Sequence, residues 1–238
     1  METLNVDKLI FKKIANLNGI EVDDSQINLM ESYMGFLLEK NNVINLISRK
    51  DLEFIWERHI IHSIAPLSLF SLPYGAEVLD LGTGGGLPGI PLKIMSPHIK
   101  LTLLDSIKKK VTAIDEFITK LNLKNTIAVC SRAENLKKNF LQNFDVILSR
   151  AVTNLADLIK WSFPLLNTKS KPHAGNPSSA KPTISNGSLI VYKGGDIEKE
   201  IKQAEVHKNY KSLKIFDINI KGIDPTILHD KKIILINF

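Results

Sequence analysis

Between Asp80 and Gly89 the chain reads Asp-Leu-Gly-Thr-Gly-Gly-Gly-Leu-Pro-Gly, a glycine-dense loop headed by a carboxylate. Glycine suits a backbone that must turn tightly and let a ligand come close, so such a loop between a strand and a helix is a nucleoside cradle. Two ligand classes compete for it. Gly84-x-Gly86-x-x-Gly89 matches the dinucleotide fingerprint and predicts a nicotinamide-dependent oxidoreductase. Asp80 argues the other way. A carboxylate at the strand–loop junction repels a pyrophosphate but attracts the ammonium and sulfonium of S-adenosylmethionine. Asp80 with Gly82, Gly84 and Gly86 therefore favours the methyl donor. Asp105, 19 residues after Gly86, ends the next apolar run, where an acid accepts hydrogen bonds from both ribose hydroxyls. An N-cap for the following helix is its competing role.

Elements with two different periods must hold these residues. Up to residue 72 the apolar residues recur at helical spacing. Leu9, Ile10, Ile14 and Leu17 precede a stop at Gly19; Ile27, Met30, Met34, Leu37 and Leu38 follow Asp24; Phe54, Ile55, Ile61 and Ile64 follow Asp51. Pro73-Tyr74-Gly75 breaks the pattern. From Glu77 onward short apolar runs (78–81, 101–104, 127–130, 146–148, 189–192) alternate with helical stretches such as 108–121 and 155–166. This predicts an α/β fold, a mostly parallel sheet covered by helices on both faces, with 213–220 and 233–238 as an antiparallel edge hairpin. The chain divides into a small helical N-terminal region, 1–72, and a Rossmann-like nucleoside-binding domain, 73–238. Residues 168–186, with Pro172, Pro177 and Pro182 among Ser, Lys and Asn, predict a disordered insert or a basic arm. Trp56 and Trp161 lie among apolar neighbours and are expected in the core.

Composition narrows the function classes. Apolar residues at 44% and charged residues at 24% are those of a soluble globular protein, expected in the cytoplasm. No run reaches the length of a membrane span. Met1-Glu2-Thr3-Leu4 is not the start of a signal peptide, and Cys130 alone supports neither a disulfide framework nor a cysteine zinc site, so no metal is expected. A net charge of +6 leans towards a polyanionic partner.

The ordered set of motifs is more specific than any one of them. Asn45-Leu46-Ile47-Ser48, Arg58-His59, the glycine loop running on to Pro91, Leu103-Leu104-Asp105-Ser106, Lys109-Lys110, Ser131-Arg132-Ala133-Glu134, Phe144-Asp145, Ser149-Arg150-Ala151 and Tyr192-Lys193-Gly194 together resemble the bacterial small-subunit (16S) ribosomal RNA guanine N7-methyltransferases, also called glucose-inhibited division protein B. The resemblance implies a class I methyltransferase sheet, S-adenosylmethionine as cofactor, and ribosomal RNA or the small ribosomal subunit as partner. It implies that Gly82 and Leu87 line the methionine and ribose part of the site and that Ala133 and Glu134 hold the adenine. Arg150 matches an arginine at the mouth of the site, and Arg150 and Arg132 are the expected catalytic residues. Arg58, Lys109, Lys110 and Lys193 become the RNA-facing cations. The chain departs from the family at His62, where an acid is usual, at Ala113, at Lys231-Lys232, and in the lengthened connection at 168–186.

Guanine N7 carries an in-plane lone pair and no proton, so its methylation needs alignment and exclusion of water rather than a general base. Methylation leaves the base cationic. Arg150 and Arg132 are therefore expected to hold phosphates, the guanine O6 or the cofactor carboxylate. A structural arginine paired with an acid such as Asp157 is the alternative for Arg150, and a non-catalytic RNA-binding assembly factor is the alternative for the whole chain.

Overall fold

The computed structural model describes residues 2–136, 140–169, 180–206 and 209–238, with side chains outside residues 2–7, 49 and 50. Five strands, β1 (Glu77–Leu81), β2 (Lys100–Asp105), β3 (Thr126–Cys130), β4 (Val146–Arg150) and β5 (Ser188–Gly194), run parallel. Strand β7 (Lys231–Asn237) pairs antiparallel with both β5 and β6 (Ser212–Asp217). The sheet order is β3-β2-β1-β4-β5-β7-β6. The order reverses between β1 and β4, and at such a switch point the loops leaving the carboxyl ends diverge and open a ligand crevice. Register fixes which residues border it. Leu81 pairs with Leu104 on one side and Ser149 on the other, and Arg150 pairs with Tyr192.

The strands are continuous apolar runs because both faces of the sheet are covered. Val78, Leu103, Val146 and Leu148 pack with Phe11, Met30, Tyr33 and Ile60 from the N-terminal helices and with Ile90 of α4 (Gly89–Met95) and Ile114 of α5 (Lys108–Lys120). The other face, Leu79, Leu81, Ile147 and Val191, packs on the helices Leu155–Ser162 and Glu198–Val206 through Leu155, Leu158 and Ala204. The described N-terminal helices, from Phe11 on, therefore share one core with the sheet.

Four expectations need correction. Helix α1 (Glu2–Leu17) buries Phe11, Ile14 and Ala15, whereas Leu9, Ile10 and Leu17 are exposed, because the interhelical contact lies one residue round from the predicted stripe. Helix α2 (Asp24–Asn41) follows the prediction except that Leu38 is exposed; Asp23 and Gln26 form a capping box at its start. The third helix is not a plain α-helix: a 3₁₀ segment (Arg49–Phe54) runs into a π-helix (Trp56–Ile61) and one α turn, α3 (His62–Ile64). Of the expected insert, residues 170–179 lie outside the described residues, but 180–186 pack. Lys181 donates to the carbonyls of Gly19 and Leu67, Thr183 bridges Ser71, and Ile184 is buried. Ile184 is one of the few apolar residues in that stretch, and it is buried beside these contacts.

Candidate active site

The glycine loop leaves β1 and enters α4, and three neighbours pin it. Asp80 lies beneath it at 0% exposure, where Oδ2 accepts from Thr83 Oγ1 at 2.7 Å and from the Gly89 amide at 2.8 Å. Gly89 is required for that approach, since a β-carbon there would lie 2.7 Å from Asp80 Oδ2 and 2.6 Å from Leu103. Burial pushes the Asp80 carboxyl up to about 6, against the pull of its bonds to Thr83 and Gly89. Asp80 Oδ2 thus braces the loop from below, while its Oδ1 is buried without a hydrogen-bond partner in the structure. From above, Tyr33 donates to the Gly85 carbonyl at 2.9 Å, and Asn41 Oδ1 accepts from the Leu46 and Ile47 amides, holding residues 45–48 over the glycines. Asp105 ties in the third side, taking the Gly84 amide at 3.0 Å on one oxygen and the Ile107 amide at 2.9 Å on the other.

These constraints leave a bent cleft at the carboxyl ends of β1, β2 and β4. One arm, about 360 Å³, is lined by Leu46, Gly82, Thr83, Gly84, Gly85, Leu87, Asp105, Lys110, Arg150 and Val152. The second arm, about 230 Å³, continues over Gly82, Asp105 and Ser106 to Ser131, Arg132, Ala133, Glu134 and Trp161. Asp105 stands at the bend. Each of its oxygens keeps a free lone pair after the backbone bonds, enough to accept both hydroxyls of a ribose. A third cleft, about 590 Å³, opens beyond Arg150 and Ala151 between Asp51, Arg58, His59, His62, Tyr192, Lys193 and residues 226–231. Arg150 and Ala151 belong to both sides. Ala151 has φ +57°, a conformation disfavoured for a residue with a β-carbon, and the chain holds it at the junction of the two clefts.

Of the residues predicted as cofactor ligands, Gly82, Gly84, Leu87, Asp105, Ala133, Glu134 and Arg150 line the bent cleft. Asp80 and Gly86 do not. A β-carbon on Gly86 would meet Ile90 and the Tyr33 hydroxyl, so this glycine serves packing. Arg132 lines the far arm, and Arg150 lines the loop arm and the third cleft. Lys110 borders the cleft, and Lys109 is exposed beside it. Arg58 is committed to Asp51 at 2.7 Å, and Lys193 to Glu200 at 2.7 Å and to the Thr153 carbonyl. These two cations are parts of the wall before they are contacts for RNA. Trp56 is core, as expected; Trp161 lines the far arm.

Arg150 itself is half-buried, and no carboxylate among the described residues lies within 4.0 Å of it. Its Nη2 donates to His59 Nδ1 at 3.1 Å and its Nη1 to Ser63 Oγ at 3.5 Å. Asp157, the acid suggested as its partner, instead accepts from Thr153 and Asn154. Tyr33, Asn41, Asp51, His59 and Ser63 are the site residues that periodicity conceals, because in sequence each is one polar member of an ordinary helix. Only the Arg58-His59 pair and Asn45-Leu46-Ile47-Ser48 hinted at them. A larger cavity, about 850 Å³ between residues 19–26, 67–74 and 95–98, holds none of the predicted residues.

Comparison with known proteins gives a consistent picture. The family model for rRNA small subunit methyltransferase G matches residues 26–174. A ribosomal RNA small subunit methyltransferase G from Pelodictyon phaeoclathratiforme is 35% identical, covering 100% of this chain and 96% of the relative. Another from Bacteroides fragilis is 42% identical over 68% of this chain and 72% of the relative. Among solved structures, a SAM-dependent methyltransferase from Aquifex aeolicus superposes with a TM-score of 0.53 at 18% identity, over 79% of this chain and 94% of that one. The M. jannaschii TYW2 structure in complex with AdoMet gives 0.51 at 12%, over 82% and 78%. Both likenesses concern the fold.

Proposed function

The chain belongs to the rRNA small subunit methyltransferase G family, and we propose from that premise that its bent cleft holds S-adenosylmethionine while the cleft beyond Arg150 receives the guanine whose N7 is methylated in small-subunit ribosomal RNA. The observation that carries the reading is the position of Asp105 at the bend, between a loop arm and an arm lined by Ala133 and Glu134. The donor set fits: free carboxylate lone pairs for ribose hydroxyls, apolar Leu46, Leu87 and Val152 beside the methionine chain, and Arg150, free of carboxylate contacts among the described residues, for a carboxylate or RNA oxygen.

The same geometry disfavours a dinucleotide. The Gly89 amide at the start of α4, which a pyrophosphate would claim, is already bonded to the buried Asp80 carboxylate. The nicotinamide reading is set aside on that ground. A built donor cleft also counts against a purely structural assembly factor.

When bound, S-adenosylmethionine supplies a methyl group on a positively charged sulfur. The chain's own residues then position and exclude. Asp105 fixes the nucleoside, Leu46 and Leu87 shield the loop arm from water, and Arg150 sits where the two clefts meet. No residue needs to take a proton from N7. Calorimetry tests the assignment: S-adenosylmethionine binds, NAD does not, and Asp105→Ala loses about tenfold or more in donor affinity while still folding, at some cost in melting temperature from the unpaired Gly84 and Ile107 amides. NAD binding with no affinity for S-adenosylmethionine overturns it.

A further inference from the structure

His59 lies in the π-helix Trp56–Ile61 and is buried, at 8% exposure. A π turn inside a helical segment is uncommon and frequently marks a functional site. Here it carries His59, and the α turn that follows carries Ser63; both reach Arg150. Ser63 Oγ also donates to the His59 carbonyl at 2.5 Å, which locks the two acceptors to each other.

Arginine has N–H donors and no acceptor, so the 3.1 Å contact requires a lone pair on His59 Nδ1. The ring is therefore neutral, with its proton on Nε2. That nitrogen is buried without a hydrogen-bond partner and lies 3.8 Å from Asp51 Oδ2, whose other oxygen accepts from Arg58 at 2.7 Å. Burial and then the Arg150 charge hold the imidazole down to about 4, with Asp51 pulling the other way and Arg58 adding to the depression. Both groups that bind the Arg150 guanidinium are uncharged. An aspartate in either place would orient the arginine but spend its charge; a neutral histidine orients it and leaves the charge for a ligand.

We infer that His59 is a positioning residue of the methyl transfer: through its Nδ1 lone pair it aims Arg150, which no described carboxylate touches, at the junction of the two clefts, to grip an acceptor oxygen of the donor carboxylate or of the RNA. The inference rests on the proposed role of Arg150 and goes beyond it by naming what sets that role.

Three His59 variants and Arg150→Ala, each in the full chain, decide the matter. In His59→Asn the amide oxygen stands near the position of Nδ1; in His59→Gln it is carried towards Nε2; His59→Leu offers no acceptor. We expect His59→Leu and His59→Gln to lose about tenfold to a hundredfold in kcat/KM on small-subunit ribosomal RNA, with His59→Asn recovering most of it. A loss confined to S-adenosylmethionine affinity assigns the oxygen to the donor, and a loss confined to KM for RNA assigns it to the RNA. Folded Leu and Gln variants with wild-type kcat/KM, or an Asn variant no better than Gln, overturn the inference. If Arg150→Ala is impaired while the His59 variants are not, only the positioning role fails; if Arg150→Ala is fully active, the role of Arg150 fails first. Long-range ¹H–¹⁵N spectra of the wild-type protein give a reading independent of variant stability: an unprotonated Nδ1 is expected, and a proton on Nδ1 of His59 refutes it.

Discussion

Arg150 draws its usefulness from the company it keeps. Two neutral acceptors hold it at the meeting of two clefts, and the carboxylates of Asp80 and Asp51 act on it only at longer range. Arg150→Ala is expected to lower single-turnover methylation by about a hundredfold or more, the scale of losing a charge-assisted contact, while melting near wild type. Arg150→Lys should rescue poorly, because a point charge cannot reproduce the two-pronged donation to His59 and Ser63. A parallel loss of stability and activity would instead mark the arginine as structural. The neighbouring histidines also set an acid limit. Burial, reinforced by Arg150, depresses His59 to about 4 and His62 to about 3. Both remain neutral in the folded state while the unfolded chain takes up protons as pH falls below about 6.5, so their contribution is complete above that value and drains away towards pH 4. Asp80, raised to about 6, works in the opposite sense between about 4 and 6 and partly offsets them. Thermal melts from pH 7 to pH 4.5 should therefore fall more steeply for wild type than for His62→Asn; equal slopes would show that His62 is protonated in the folded protein.

At the scale of elements, the site depends on the N-terminal helices as much as on the sheet. Tyr33 of α2 reaches the Gly85 carbonyl, and Asn41 at the end of the same helix holds Leu46 and Ile47 over the loop. Tyr33→Phe should loosen the loop and weaken S-adenosylmethionine binding by about 0.5–1.5 kcal/mol, measured by calorimetry, with the fold intact. The stretch at 180–186 makes a different prediction. Ile184→Ala removes a side chain at 7% exposure and should cost about 2–4 kcal/mol of stability in denaturant unfolding while leaving donor affinity unchanged. No loss would return this stretch to the disordered role that composition suggests. Here the limits of sequence reading become physical. The parallel strands and the hairpin were legible because each is a contiguous apolar run with its own period, and Gly82, Gly84 and Asp105 because a strand–loop–helix junction places them locally. The π-helix was not, since Phe54, Ile55, Ile61 and Ile64 keep a helical spacing whichever hydrogen bonds form beneath them. Nor was the burial of Asp80, because a carboxylate that braces a loop and one that binds a ligand occupy the same place in the chain.

Across the whole molecule, the N-terminal helices, glycine loop and β4–β5 edge close around one junction, and the chain carries a net charge of +6. The exposed Lys108 and Lys109 begin α5 beside the loop arm, while Arg58 and Lys193 are committed to Asp51 and Glu200. KM for RNA is therefore expected to rise steeply with salt while S-adenosylmethionine affinity changes little, and parallel salt dependences would contradict a polyanion-binding face outside the donor cleft. The most direct test of the account combines the purified chain, labelled S-adenosylmethionine and unmodified small-subunit ribosomal RNA, both free and assembled in the subunit, followed by mapping of the modified nucleotide. A single N7-methylguanosine in that RNA is expected, formed by the wild type and lost in Arg150→Ala. Methyl transfer to another atom or to no RNA, from a folded protein that binds the donor, would contradict it.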